Sequence, residues 1–389
     1  MKNFFKKISP NILLLSLVSG INDISSEMVN PILPLFIKSL GGTGIAIGII
    51  GGLRDSIDSI LRVVFGYASD KIGKRKIFVA NGYLISVIFR TCLIFSNTWK
   101  SVLVFIGFER VGKAMRTAPR DAIVADYSTE KRGLGFGVIR TFNTMGAIVG
   151  SFFAFFLFWV FKFDFKSIIL ASAIFGFISI LPLYFLKEQK RIKKQNGLTI
   201  KIGFRNLSSK LKTFIVISAI FYLSNFSYMF MILKAQKAFS GKFAVGVPIL
   251  LYVLFNIFYA SFSIPFGMLA DKIGRKKIIS LGYFLFSMTF LGFALFDTAV
   301  AFVILFALYG TGSAMIEVNQ RAYTSDLSSK NMRGSALGLL HATVSFVALI
   351  SSLIAGILWE NISPATPFFY GGILSLFASI LLLKNKQLP

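Results

Sequence analysis

Gly66-Tyr-Ala-Ser-Asp70-Lys-Ile-Gly73-Lys-Arg75-Lys returns as Gly267-Met-Leu-Ala-Asp271-Lys-Ile-Gly274-Arg275-Lys-Lys, 201 positions further on. Each copy follows a long apolar run and precedes another. Glycine and aspartate keep register in both, which chance does not supply twice at one spacing. A weaker echo pairs Gly112, Met115 and Asp126 with Gly312, Met315 and Asp326, and one residue of slippage then pairs Arg140 with His341. The chain is therefore read as a duplication, with the repeated element at the same place in each half.

The element has a physical logic. Gly66 and Gly267 allow helices to approach closely, as small residues do in lipid. Asp70 and Asp271 can accept hydrogen bonds from a neighbouring helix N-terminus or from a cation. Gly73 and Gly274 suit a tight turn, and the basic residues that follow anchor a short loop at an anionic membrane surface.

Composition sets the surroundings. Of 389 residues, 55% are hydrophobic and 44 are Phe, and the mean hydropathy is +0.73. A water-soluble domain cannot present so much apolar surface, so the solvent around this chain is lipid. The net charge of +26 would suit nucleic acid, but the basic residues cluster at the ends of apolar runs, where membrane topology places them. No nucleic-acid partner is expected. Cys92 is the only cysteine and His341 the only histidine, so no disulfide, cysteine metal site or multi-histidine metal site is expected. No cofactor is expected either.

Runs long enough to cross ~30 Å of hydrocarbon predict about twelve spans. The first six lie near 11–37, 45–69, 77–97, 100–124, 134–161 and 166–186. The second six lie near 212–235, 244–270, 278–296, 299–321, 334–358 and 366–384. The basic start before Ile12 has the look of a signal peptide, but no small-residue cleavage site follows, so it reads as a retained first span. Lys and Arg concentrate at both termini and in the even-numbered connections, which predicts cytoplasmic termini in the cell membrane. The polar stretch KEQKRIKKQNGLTIKIGFRNLSSKLK, residues 187–212, separates the halves. The expected organisation is an all-α integral membrane protein: a six-helix bundle over 1–187, a basic cytoplasmic linker over 188–211, and a second, pseudo-symmetric bundle over 212–389.

These features together resemble the major facilitator superfamily, whose signature lies between spans 2 and 3 and is often echoed between spans 8 and 9. The resemblance covers essentially the whole chain. It implies two six-helix bundles around a central cavity, alternating access by rocking, and secondary active transport of a small solute, with a monomer as the working unit. It also implies a cytoplasmic latch role for Gly66, Asp70, Gly73, Arg75, Gly267, Asp271, Gly274 and Arg275. The family's exporter motif in span 5, G-x8-G-x3-G-P, is half present: Gly137, Gly146 and Gly150 keep the spacing, but Ser151 replaces the proline. The family's span 4 motif also departs, since glycine follows Arg110 at Gly112 and not two positions later.

Ionisable groups inside a bilayer cost several kcal/mol unless partnered, so each needs a partner or a task. Asp23 and Glu27, four apart in span 1, share a helix face and form the leading proton-coupling or cation-binding pair. Arg54, Asp55, Asp58 and Arg62 follow in span 2, where Asp58 and Arg62 can pair within the helix. Arg90, Glu109, Arg110 and Arg140 add charge in spans 3 to 5, and Arg116, Arg120 and Asp121 are placed toward the cytoplasmic mouth. The second half is poorer, with Glu317 and Arg321 in span 10, His341 in span 11 and Lys234 closing span 7. Phe221, Tyr222, Phe226, Tyr228 and Phe230 of span 7 are expected mostly against lipid or neighbouring helices.

The function expected is proton-coupled transport of a small solute, with a lean toward export of an organic or amphipathic compound. The alternative is an importer or facilitator of an anionic metabolite. A membrane-embedded lipid-modifying enzyme would need an acidic metal cluster that Asp55 and Asp58 do not make. ATP drive is disfavoured because the glycines of 41–52 lack the following lysine of a P-loop.

Overall fold

The computed structural model describes residues 9–128, 132–186, 208–329, 332–385 and 388. Most of the linker assigned from sequence, 188–211, lies outside them. The described residues are helical, without strands. In the first half the helices are α1 (Pro10–Val29), α2 (Leu33–Ser39), α3 (Gly44–Ile72), α4 (Arg75–Cys92), α5 (Trp99–Tyr127), α6 (Arg132–Trp159) and α7 (Phe165–Ile180). In the second half they are α8 (Ser209–Ser224), α9 (Met229–Lys237), α10 (Phe243–Ile273), α11 (Arg275–Leu295), α12 (Ala299–Asp326), α13 (Arg333–Asn361) and α14 (Thr366–Lys384).

Local chemistry explains the boundaries. Thr98 and Thr298 cap α5 and α12 through Ser101 and Ala301, and Asp164 caps α7 with a 3.0 Å bond from the Ser167 N–H. Such side chains accept from otherwise unpaired first-turn donors. The first expected span divides into α1 and α2 at Pro31, which has no N–H to carry the helical hydrogen-bond ladder past Asn30, itself still in the helical region. α1 with α2 and α8 with α9 still each make one apolar stretch long enough to cross a bilayer.

Ten such stretches occur among the described residues, not twelve. The other two expected spans correspond to α3 and α5. Both have 29 residues, about 44 Å at 1.5 Å per residue, which is ample length. They fall short on apolarity, because α3 carries Arg54, Asp55, Asp58 and Arg62, and α5 carries charge from Glu109 to Asp121. The outward faces of the ten are apolar, as at Ile264 (72% exposed) and Ile373 (63%). Such surfaces belong against lipid, and the chain is a multi-pass membrane protein.

The chain forms two compact units: Met1–Leu40 with Ile57–Leu198, and Gly41–Ser56 with Thr199–Pro389. α3 is thus shared, its first turns counted with the second unit and the rest with the first. In the first unit α1 lies along α6 at backbone distance. A Cβ at Gly146 would stand 2.4 Å from the Gly20 carbonyl, and one at Gly150 2.3 Å from that of Ile24. Gly82 and Gly112 approach mutually between α4 and α5, where a Cβ on either would stand 2.7 to 2.8 Å from the other's carbonyl. In the second unit a Cβ at Gly48 of α3 would stand 2.3 Å from the Ser352 carbonyl of α13.

The repeated loop element has the same geometry in both units. Gly73 (φ +74°) and Gly274 (φ +100°) turn the chain in a region that side chains disfavour. Arg75 donates to Asp70 from Nε at 3.0 Å and pairs with Asp126 at 2.8 Å. Arg275 pairs with Asp271 at 2.7 Å and also with Asp326. Gly66 sits 3.2 Å from Ala118 at its notional Cβ, a tight fit, whereas Gly267 meets Val318 only at 3.7 Å.

Two stability outcomes follow, both read by thermal unfolding in detergent. Gly146→Ala and Gly150→Ala drive a methyl into a carbonyl and should each cost about 1–3 kcal/mol, while Gly137→Ala, with nothing within 4 Å, should be neutral or stabilising. Asp126 is 18% exposed at its side chain and Asp326 51%. Asp126→Asn should therefore destabilise clearly more than Asp326→Asn, whose pair is mostly solvent-screened. Equal losses would contradict this account.

Candidate functional site

The densest polar chemistry lies inside the first unit, where α1, α4 and α5 meet. α5 presents Glu109, Arg110, Lys113, Arg116 and Arg120 at three- and four-residue spacing, so they follow one side of the helix. Glu109 is almost wholly buried and takes Arg90 of α4 at 3.1 Å and its neighbour Arg110 at 2.9 Å. One carboxylate thus serves two guanidinium groups. The Arg90 guanidinium also donates to the Ser25 hydroxyl of α1 at 2.7 Å. Ten residues along α5, Arg120 pairs with Asp121 at 2.8 Å and donates to the Ser19 hydroxyl of α1 at 2.9 Å.

Between those two anchor points stands Asp23 of α1, half-buried, in the field of Lys113, Arg116, Arg120 and Arg90. Lys113 in turn lies in the electrostatic field of Asp58, Asp23 and Glu109. Asp58 pairs with Arg62 within α3 at 2.8 Å. Arg116 stacks on the ring of Tyr83, its guanidinium carbon 4.1 Å from the centroid, a favourable arrangement for a desolvated cation. Pro119, buried within α5, interrupts that helix's hydrogen bonding one turn past Met115.

Several sequence expectations change here. Asp23, expected with Glu27 as the leading coupling pair, also stands in the field of cations from α4 and α5. Arg116 lies buried in mid-helix and not at a helix end. The span 2 charges divide: Asp58 and Arg62 pair as expected and belong to the first compact unit, and Arg54 belongs to the second. There Arg54 donates to the Tyr228 hydroxyl and lies 5.4 Å from that ring's centroid. Asp55, on the exposed side of α3, acts electrostatically on Tyr309.

The interior of the second unit is filled mainly by rings, with fewer ion pairs than the first. Phe221, Phe226 and Phe230 are buried against neighbouring helices, Phe221 stacking on Tyr283 at 3.9 Å and Phe226 on Phe290 at 5.1 Å. Tyr222 donates to Gln320 at 3.1 Å, and Gln320 donates to Tyr283 at 3.2 Å. Glu317 pairs with Arg321 at 2.7 Å and accepts from the Tyr259 hydroxyl. Lys234 pairs with Asp297 at 2.7 Å. His341 is half-buried on α13 and Arg140 exposed on α6, and neither belongs to the contacts just described.

Sequence reasoning missed Lys113 at the centre of the cluster and Asn22 beside Asp23. The spacing of Glu109, Arg110, Lys113, Arg116 and Arg120 carried the signal for Lys113. It also left Asp126 and Asp326 without a role, although each stands 51 residues after the latch arginine it meets.

Comparison with known proteins agrees with this architecture. The family model described as Major Facilitator Superfamily matches residues 15–249 and 214–388. The chain is 49% identical to the MFS-type transporter MJ1317 of Methanocaldococcus jannaschii, over 97% of this chain and 95% of that one. It is 20% identical to the multidrug resistance protein MdtH of Shigella dysenteriae, over 89% and 86%. The crystal structure of the nucleoside transporter NupG superposes with a TM-score of 0.80 at 17% identity, covering 97% of this chain and 100% of that one. With a family model spanning nearly its whole length and a relative sharing about half its residues, the chain belongs to the Major Facilitator Superfamily.

Proposed function

We propose that this transporter is a secondary active carrier that moves a small organic solute by alternating access, coupled to protons and in the outward direction. The observation that carries the coupling is Asp23, half-buried amid Lys113, Arg116, Arg120 and Arg90, with Lys113 shared with Asp58. A carboxylate whose counter-charges are themselves shared can gain or lose a proton as those charges shift partner, which is what a coupling group inside a membrane requires. Glu27, one turn along α1, remains the second candidate. The outward direction draws on the likeness to MdtH, which is named a multidrug resistance protein, and on Gly146 and Gly150, the two positions of the exporter motif that pack against α1.

The surplus of guanidinium groups around Glu109 favours the second reading, a carrier that takes up an anionic metabolite. Both readings keep the chain in the cell membrane as a monomer with cytoplasmic termini, divided at 1–187, 188–211 and 212–389. The paired arginine–aspartate elements act in both as a latch, gripping α3 to α5 through Asp126 and α10 to α12 through Asp326.

Everted vesicles carrying the protein separate these readings, with ethidium as the cationic probe and benzoate as the anionic one. Proton-driven accumulation of ethidium supports export of an amphipathic compound. Benzoate accumulation only in right-side-out vesicles supports uptake. In either case Asp23→Asn or Glu27→Gln should lower uphill accumulation at least tenfold while sparing downhill exchange. Unchanged uphill transport in both variants would sink the coupling assignment.

A further inference from the structure

Several buried polar atoms of the first unit have no hydrogen-bond partner, and three of them belong to Asn22 and Arg116. Asn22 is wholly buried, yet neither its amide nitrogen nor its amide oxygen has a hydrogen-bond partner. Arg116 is 4% exposed, and its Nη1 has none either. Burying donors without partners destabilises the fold, so such atoms need an explanation.

The helix register puts these atoms together. Ser19 and Ser25 of α1 receive Arg120 and Arg90, which fixes two points where α1 meets its neighbours. Asn22 stands three residues from each, on the face between them. On α5, Lys113 and Arg116 fall between Glu109, the partner of Arg90, and Arg120. Asn22, Lys113 and Arg116 therefore occupy the same level of the unit, with the Tyr83 ring closing one side of Arg116.

The charge around them is uneven. Arg62, Arg90, Arg110, Lys113, Arg116 and Arg120 face Asp23, Asp58, Glu109 and Asp121 in the pairings described, six cations against four carboxylates. Including Glu27 and Arg140, opposite in sign, leaves the surplus of two unchanged. A surplus of buried positive charge beside unpaired donors is complementary to an anion, and Arg116 Nη1 can give a charge-assisted hydrogen bond to one of its oxygens.

We propose that the first unit holds a site for the oxyanion group of the transported solute, a carboxylate or a phosphate. Arg116 Nη1 and the Asn22 amide nitrogen donate to it, and Lys113 supplies further charge. The inference rests on the chain being a solute carrier, but not on protons or direction. Tyr83 acts as a positioning residue that holds Arg116.

The test is thermal unfolding of the purified full chain in neutral detergent, titrated with inorganic phosphate, benzoate or phosphatidylglycerol against chloride at constant ionic strength. A ligand of the folded state raises the melting temperature by mass action. At least one oxyanion should give a saturating rise. Arg116→Gln and Asn22→Leu should each raise the half-saturating concentration at least tenfold, while Lys100→Gln, an exposed substitution at the start of α5, leaves it unchanged. If Arg116→Gln fails to fold, Asn22→Leu decides alone. Absence of any rise, an equal rise in both variants, or a rise seen only with phosphatidylglycerol overturns the proposal. Because no gradient is applied, failure of proton coupling in vesicles leaves this result standing. Failure here leaves proton-driven ethidium movement equally intact.

Discussion

Charge cannot be left alone in a low-dielectric slab, and in this protein that constraint falls on one helix. α5 carries Glu109, Arg110, Lys113, Arg116, Arg120 and Asp121 within its own length. A helix so charged is stable in lipid only when its neighbours neutralise it, so α1, α3 and α4 each bring a partner: Asp23, Asp58 and Arg90. Serines 19 and 25 complete the coordination of two guanidinium groups. The close glycine contacts serve the same end. Gly82 and Gly112 let α4 and α5 approach until Arg90 reaches Glu109, and Gly146 and Gly150 hold α1 against α6 beside Asp23. Removing one member of such a set strands the others, and isolated buried charges are what membranes penalise most.

The second unit shows what the duplication kept and what it changed. The frame persists at an offset of about 200 residues: threonine caps at Thr98 and Thr298, close-packed glycines at Gly112 and Gly312, latch arginines at Arg75 and Arg275. The interior does not persist. Where the first unit has Arg90, Lys113, Arg116 and Arg120, the same offset gives Phe290, Ser313, Ile316 and Gln320. Tyr283 is kept opposite Tyr83, but it stacks on Phe221 and accepts from Gln320 where Tyr83 carries Arg116. One half thus retained a frame filled with ions and the other filled it with rings and neutral hydrogen bonds. Ions respond to protonation and to charged solutes, whereas rings give shape and apolar contact.

Much of this was legible in the sequence, for identifiable reasons. Membrane embedding, duplication and the loop element follow from hydropathy and register, which survive without knowledge of packing. The turn at Gly73 and Gly274 followed from residue type alone. The expected count of twelve spans is less secure, because it includes α3 and α5, whose charges keep them out of the ten apolar stretches although their length suffices. The partners of Asp23 were invisible for the complementary reason: Asp23 and Glu27 are adjacent on α1, while the cations that reach Asp23 come from residues about 70 to 100 positions away. Asn22 gave no signal, since an asparagine in a span reads as a packing residue until its neighbours are known.

The most direct measurement of the central constraint is a double-mutant cycle on thermal stability in detergent, using Asp58→Asn, Lys113→Gln and the pair together. If the charges of α5 are held by local neutralisation, each single change strands a charge and destabilises, and the double variant recovers most of the loss, with a coupling of about 1–3 kcal/mol. Additive losses, with no recovery in the double variant, would show that Lys113 and Asp58 do not neutralise each other and would contradict the account.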